Sequence, residues 1–453
     1  MPRLDAEEKR RQLIGYLMSR GPASARELLA HLRVSQPAVS RLIASVSDEI
    51  LVVGKARATR YAARRRIPRV GDRVVIYEVD ERGGSRECAV LHAQGSTGFF
   101  VEARVTEVEQ AFHGDLPYFL DGMRPAGFLG RSVPKQHPEL ELPADVRMWS
   151  ADQCLSYLTR FGWNLSGSFI LGEEAFRLFL RNTESPPSLV ARSDRAREYP
   201  RLAEAALQGG TPGSSAVGEQ PKFLTQRTPG PVDVLVKFSP RITDATTRRS
   251  ADLLVCEHIA HEVLRDHGQG AASSELVVAD GRMFLEVERF DRLPGGGRRG
   301  LISFLALDAQ LLGRLQSWSD SAHALHARGL IDASIRDSIR WLELFGGLIA
   351  NTDMHLGNLS LFMRGTRVTA LAPAYDMLPM RYAPRDGHGT DMAFEPPLPS
   401  PADAPLFPGA RRAAFDLWQR IASHESISPE LQGVGRANAE KLDKMEGIER
   451  RLP

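Results

Sequence analysis

Four separated stretches of this chain carry the residue types that phosphoryl transfer needs. In Asn351-Thr352-Asp353-Met354-His355-Leu356-Gly357-Asn358, four residues separate Asp353 from Asn358. A short irregular loop of that spacing can present a general base, Asp353, to a hydroxyl and turn Asn358 back onto a divalent cation. Asp376, 23 residues after Asp353 in Tyr375-Asp376-Met377, supplies a second candidate metal ligand. Lys237 stands near the end of Val232-Asp233-Val234-Leu235-Val236-Lys237-Phe238, where an ammonium could bridge two phosphates. Upstream, the small-residue run 213–218 leads into Glu219-Gln220-Pro221-Lys222, and such a loop lets backbone N–H groups approach an anion closely. Taken singly, each stretch has an ordinary explanation, such as a surface loop or an exposed strand lysine. His355 reads as a loop brace, because no HxxxH or His/Cys cluster accompanies it. The order of the four is more specific than any one of them: a phosphate loop, a cation, a base with a metal ligand, then a second metal ligand.

Elements must position these groups. The alternation of Val232–Phe238 predicts a strand, and 246–266 predicts a helix carrying Glu257 and Glu262. Either glutamate can pair with Lys237, and Glu257 is preferred. The apolar run 341–349 predicts a helix that delivers the Asp353 loop, and 367–371 a strand that delivers Asp376. Further helices are expected at 301–315, 319–328, 332–349, 411–424 and 429–445, forming a helical lobe. Residues 383–408, rich in Pro, Gly and Asp, read as a long loop. Strands are expected at 74–79, 87–92 and 99–103, with Gly83-Gly84 in the first turn.

The charge is divided unevenly. The 453 residues sum to +2, from 58 Lys+Arg and 56 Asp+Glu, but the first 66 residues alone carry +8 and the remainder −6. Within the basic segment, Leu13, Ile14 and Leu17 mark one helix. Ser24 with Glu27 forms a capping box for a second. Ser35 caps a third, with Val39, Leu42, Ile43 and Val46 facing inward. Strands at 50–53 and 58–62 then flank a turn. Three helices and a hairpin make a winged helix-turn-helix. Gln36, Ser40 and Arg41 lie on the polar face of the third helix, and Lys55, Arg57 and Arg60 on the wing, where they can meet DNA. Arg64, Arg65 and Arg66 follow as candidate phosphate contacts. Residues 66–69, around Pro68, read as a hinge. A solvated, protein-binding helical module is the plainer alternative.

Composition narrows the class. Hydrophobic residues are 42% and charged residues 25%, which excludes wholly disordered and fibrous chains. No apolar run approaches the ~20 residues of a membrane helix, so no membrane partner is expected. Cys88, Cys154 and Cys256 are too far apart for a CxxC pair, and a reducing cytoplasm is the expected compartment.

The stretches SSAVGEQPKF (214–223), VLVKF (234–238), VERFDR (287–292), NTDMHLGN (351–358) and APAYDM (372–377) together resemble the HipA family of bacterial toxin serine/threonine kinases. The segment LPYFLDGMRPAGFLGR (116–131) is similar to that family's N-terminal region, and the added winged helix resembles its YjjJ-type branch. The resemblance implies an α+β chain: a winged helix at 1–66, a β-rich N-lobe at 67–295 and a helical C-lobe at 296–453. It implies ATP and Mg²⁺ as cofactors. Val217, Gly218, Glu219, Gln220 and Lys222 would line the ATP phosphates, with Lys237. Glu288, Arg289 and Phe290 would form the hinge beside adenine. His355 and Asn358 would lie close to the nucleotide, and Asn358 and Asp376 would hold the metal. Ser215, with Ser214 as the neighbouring alternative, would be autophosphorylated and silence the kinase. The partners implied are a protein substrate, a HipB-like antitoxin, DNA and a second copy of the chain. The alternative reading is a DNA-binding regulator whose kinase body only senses nucleotide; a small-molecule phosphotransferase is a third.

Overall fold

The computed structural model describes residues 3–185, 189–209, 220–384 and 393–448. Helices Arg3–Arg20, Ala25–Leu32 and Gln36–Ser45 pack Leu13, Leu17, Leu28, Leu32, Val39 and Val46 into one small core. A three-stranded antiparallel sheet closes it, with Arg60–Ala63 between Ala23–Ser24 and Ile50–Val53. Ser24 and Glu27 form the reciprocal capping box. Ser35 occupies the cap position of the third helix without a side-chain hydrogen bond, and Leu42 and Ile43 are only half-buried.

The segment around Pro68 is pinned, unlike the expected hinge. Ile67 is buried in the main core, and Arg69 donates to the carbonyls of Glu139 and Leu140 at 3.0 and 2.9 Å. Arg65 pairs with Asp152, and Arg64 lies 3.7 Å from Asp72. Leu51 and Ala62 pack on Phe100 of the next module. Arg64 and Arg65 are thus committed to docking the N-terminal unit. Arg66 stays exposed.

That next module is a five-stranded antiparallel sheet ordered Phe112–His113, Gly98–Ala103, Ser85–Gln94, Arg73–Val79 and Phe169–Leu171. Helix Ala151–Phe161 lies on it. Its apolar face is continuous with the core of the C-terminal helices.

A second five-stranded sheet is ordered Ser274–Ala279, Arg282–Glu288, Val232–Phe238, Lys222–Thr228 and Leu189–Ala191. Only the last pairing is parallel. One face buries Phe223, Phe238 and Phe284 under Tyr199 of helix Arg195–Gly209. The other meets helix Ala245–Asp266, which threads Leu254, Val255, Ile259 and Val263 into the main core. Helices Phe304–Leu311, Trp318–Ala327, Ala333–Leu348, Phe407–Ser423 and Pro429–Asp443 complete that core. The expected helix at 301–315 is shorter. Its first residues form the strand Gly300–Ser303, paired with Ser360–Met363, and Ser303 then caps the helix through the Ala306 N–H. Among the described residues no helix is long and apolar enough to cross a membrane.

Candidate active site

Strand register places the first two charges. Lys222 and Lys237 are direct partners on adjacent antiparallel strands, so their side chains share a face. Both line a cleft of about 340 Å³ between the second sheet and the C-terminal lobe. Lys237 is 7% exposed. Its ammonium donates to both carboxylate oxygens of Glu257, at 2.6 and 2.9 Å, and to Asp376. Glu257 is also buried, and Glu262 is instead near His258, at 3.6 Å. The preference for Glu257 therefore matches the geometry. Helix periodicity explains the choice: Glu257 lies on the buried stripe with Leu253, Leu254 and Ala260, and Glu262 does not.

This cluster controls its own ionisation. Burial would raise the Asp376 carboxyl, but Lys237 and Lys222 outweigh burial and hold it at about 2. Burial raises Glu257, against the opposing pull of Lys237. Burial also disfavours charge on Lys237, yet Asp376 and Glu257 push its pKa above the ordinary range. A buried ammonium is tolerable only because two carboxylates saturate it. Burial and Lys237 together drive His261, one turn after Glu257, down to about 3.

Helix Ala333–Leu348 ends in a tight turn with Ala350 at φ 59°, and Asp376 has φ 53°. Both are non-glycine residues in the left-handed region, where a side chain costs ~1 kcal/mol or more, and both belong to this site. Buried Asn351 joins the two segments. Its Oδ1 accepts from the Asp353 N–H at 3.0 Å, and its Nδ2 donates to the Asp376 carbonyl at 3.4 Å. The Asn358 amide donates to the Asp353 carbonyl at 2.9 Å. His355 Nδ1 accepts from the Gly357 N–H at 3.0 Å, which is the bracing role expected of it. Tyr375 O–H donates to the Gly357 carbonyl at 3.1 Å and meets Ser360 at 2.8 Å. Asp353, His355 and Asn358 do not line the cleft themselves; Asn351 and Tyr375 tie their loop to Asp376, which does.

Glu288, Arg289 and Phe290 reach the cleft wall. Phe290 packs between Phe362 and Tyr375. The Arg289 guanidinium is engaged with Asp291 and with Asn164 Oδ1 at 3.0 Å. Glu288 pairs with Arg227. Gln220 donates to the Phe238 carbonyl rather than lining the cleft, which fixes the exit of the small-residue loop to the lysine strand. Ser214, Ser215, Val217, Gly218 and Glu219 lie outside the described residues.

Sequence reasoning missed several residues. Phe119, Gly122 and Met123 come from the middle module and form part of the cleft wall, as does Ser166. The signal available for the first three was the 116–131 likeness, to which no chemistry was attached. Asn351 sat inside the quoted loop motif without a role.

The donor set suits Mg²⁺. A carboxylate, Asp376, and an amide, Asn358, offer hard oxygens, and Mg²⁺ is ordinarily held by one or two such ligands together with phosphates and water. Among the described residues no group of three or more His, Cys, Asp or Glu could hold a metal alone. The ion would therefore have to arrive with a phosphate ligand.

On the N-terminal unit, Gln36, Ser40 and Arg41 are exposed along one helix, and Lys55 and Arg57 are exposed between the strands. Arg60 is paired with Glu27 at 3.0 Å.

The architecture and site define a HipA-type body, and known proteins agree. Residues 70–180 match the family model of the YjjJ-like toxin middle domain, and residues 214–426 that of the HipA-like C-terminal domain. HipA of Shewanella oneidensis MR-1, solved with HipB and its operator DNA, aligns with a TM-score of 0.50 at 15% identity. The match covers 83% of this chain and 97% of that one, a likeness of fold. Toxin YjjJ of Escherichia coli (strain K12) is 35% identical over 435 residues, which covers 95% of this chain and 97% of that protein. The chain belongs to the HipA-like toxin family, in its YjjJ-like branch.

Proposed function

We propose that the chain is an ATP- and Mg²⁺-dependent kinase acting on serine or threonine of a protein substrate. The observation that carries this reading is Lys237 held between Glu257 and Asp376 at the wall of a cleft, with the Asp353 loop bonded to the Asp376 segment through Asn351. Lys237 and Lys222 would hold phosphate oxygens. Asp353 would accept the proton of the attacking hydroxyl, and Asn351 sets the backbone from which it does so. Asn358 and Asp376 would hold Mg²⁺, which would neutralise phosphate charge. A phosphate on Ser215 would place about two negative charges beside the phosphate subsite and repel ATP. The test is transfer of labelled phosphate from ATP and Mg²⁺ to the protein itself or to lysate proteins. Wild type should label and Asp353→Ala should lose ~10²–10⁴ of the rate. ATP binding with no transfer by either protein would favour the nucleotide-sensing regulator instead.

The exposed Gln36, Ser40, Arg41, Lys55 and Arg57, on a segment of +8, support DNA binding by residues 1–66. A built-in DNA contact would lessen dependence on a separate HipB-like partner. Fluorescence anisotropy on a random duplex at graded salt tests it: a salt-independent or absent signal would leave a protein-interaction module.

A further inference from the structure

A second cavity, of about 390 Å³, lies behind the VERFDR segment, at the junction of the middle module and the lysine-bearing sheet. Its charge is unusual. Arg289, Arg292 and Arg298 all line it; the Arg289 and Arg292 side chains are 9% and 6% exposed and Arg298 is 3% exposed, whereas the carboxylates that act on them are Asp233, in the wall, and Asp291 beside it. Asp291 is shared, meeting Arg289 at 3.1 Å and Arg292 at 2.8 Å. Asp233 also accepts from Gln226 at 3.1 Å.

Among the described residues Arg298 has no carboxylate within ion-pair distance. One of its terminal nitrogens donates to the Trp163 carbonyl at 2.6 Å, and its guanidinium lies 4.6 Å from the centre of the Phe179 ring. The other, Nη1, is buried with no hydrogen-bond partner among the described residues. An unpaired N–H of a buried charged group costs several kcal/mol, and a fold that retains one invites a compensating charge. The electrostatics agree with the geometry. Burial, together with Arg292 and Arg289, depresses Arg298 strongly, and burial with Arg289 brings Arg292 down to about 10. Cations that depress one another in a cavity that the protein's own carboxylates do not balance form a receptor for an anion.

The walls suit an organic ligand. Trp163 and Phe179 supply aromatic surface, and Asn164 and Asn182 supply amides. The volume falls in the range of small-molecule sites and exceeds what a lone inorganic ion fills. Planar guanidiniums match phosphate or carboxylate through paired hydrogen bonds.

We infer that this cavity is a binding site for a small organic oxyanion, phosphorylated or carboxylated, distinct from the cleft that holds Lys237. Arg289 lines both cavities, so an anion behind the hinge sits one side chain away from the cleft. Any regulatory consequence rests on the nucleotide reading; occupancy does not.

The experiment titrates inorganic pyrophosphate, and citrate as the carboxylate arm, against the full chain at constant ionic strength, following the melting temperature and the heat of binding. Wild type should show a saturable rise in melting temperature with at least one of the two anions, and the anion that binds identifies the ligand chemistry. Asn182→Glu, which places a carboxylate at the cavity wall, should weaken that anion at least about tenfold while melting no lower than wild type. Arg298→Met should also lose the anion. No saturable effect of either anion on wild type, or undiminished binding in Asn182→Glu, overturns the proposal. ATP is titrated separately on wild type: if ATP fails to bind while the anion effect follows Asn182, only the nucleotide reading fails.

Discussion

Two cavities meet at Arg289 and solve the same problem in opposite ways. In the cleft, one buried ammonium is shared by two carboxylates, so Lys237 is fully compensated by the chain. At the cavity behind it, three guanidiniums share two carboxylates, and a nitrogen of Arg298 has no hydrogen-bond partner among the described residues. In the cleft, with Lys222 beside Lys237, the two ammonium groups and two carboxylates of the cluster balance before any ligand arrives. There a polyanion would need an accompanying cation. The rear cavity lacks negative charge, and an anion alone would complete it. Buried charge must be neutralised from somewhere; which side supplies the counter-ion is set by the local count.

The sharpest way to break this contrast is Lys237→Met. It strands Glu257 as a buried carboxylate beside the part-buried Asp376 and should cost ~3–5 kcal/mol in urea unfolding, in addition to any nucleotide binding. A cost below ~1 kcal/mol would mean that the cleft is not balanced by Lys237. Asp291→Asn tests the other side. It leaves three cations around Asp233 and should destabilise by ~3 kcal/mol, with partial rescue by millimolar pyrophosphate.

Acid should separate the groups around the cleft in time. Asp376 lies below its ordinary value, so its contribution is present at neutral pH and disappears only between about pH 4 and 2. His261 is held neutral down to about 3, while the unfolded chain protonates it near 6.5. The unfolded state therefore binds more protons in between, and stability should fall as pH drops below 6.5. His92, His113 and His258, lowered chiefly by burial, act in the same direction. His261→Gln should flatten the dependence by up to ~1.4 kcal/mol per pH unit, measured by chemical denaturation from pH 7 to 5. The smallest effect belongs to an exposed cation. Arg57→Ala should change stability by under ~0.5 kcal/mol yet reduce the salt slope of DNA binding by about 1.

Much of the site was legible because its parts are local. The four spaced residues between Asp353 and Asn358 and the strand bearing Lys237 both follow from short-range geometry. The capping box of Ser24 and Glu27 was legible for the same reason. Charge counting was less reliable at the level of single arginines. Arg64 and Arg65 continue the basic run that suggested phosphate contacts, yet Arg64 lies beside Asp72, and Asp152, 87 residues away, claims Arg65. The Arg289 guanidinium likewise turns to Asp291 and Asn164. No spacing rule reports such partners, because an arginine's role depends on which carboxylate the fold brings near.

From the order of residues alone came the residue types for phosphoryl transfer, their sequence along the chain, and the division into a basic N-terminal unit and an acidic body. Each depends on periodicity, spacing or composition, which are properties of neighbours. Only the folded chain decided that the N-terminal unit is docked rather than hinged, that Phe119 and Met123 wall the cleft, and that Arg298 is buried with a nitrogen unpaired among the described residues. Those outcomes depend on contacts between residues far apart in sequence, where packing and desolvation, not local preference, determine which groups meet.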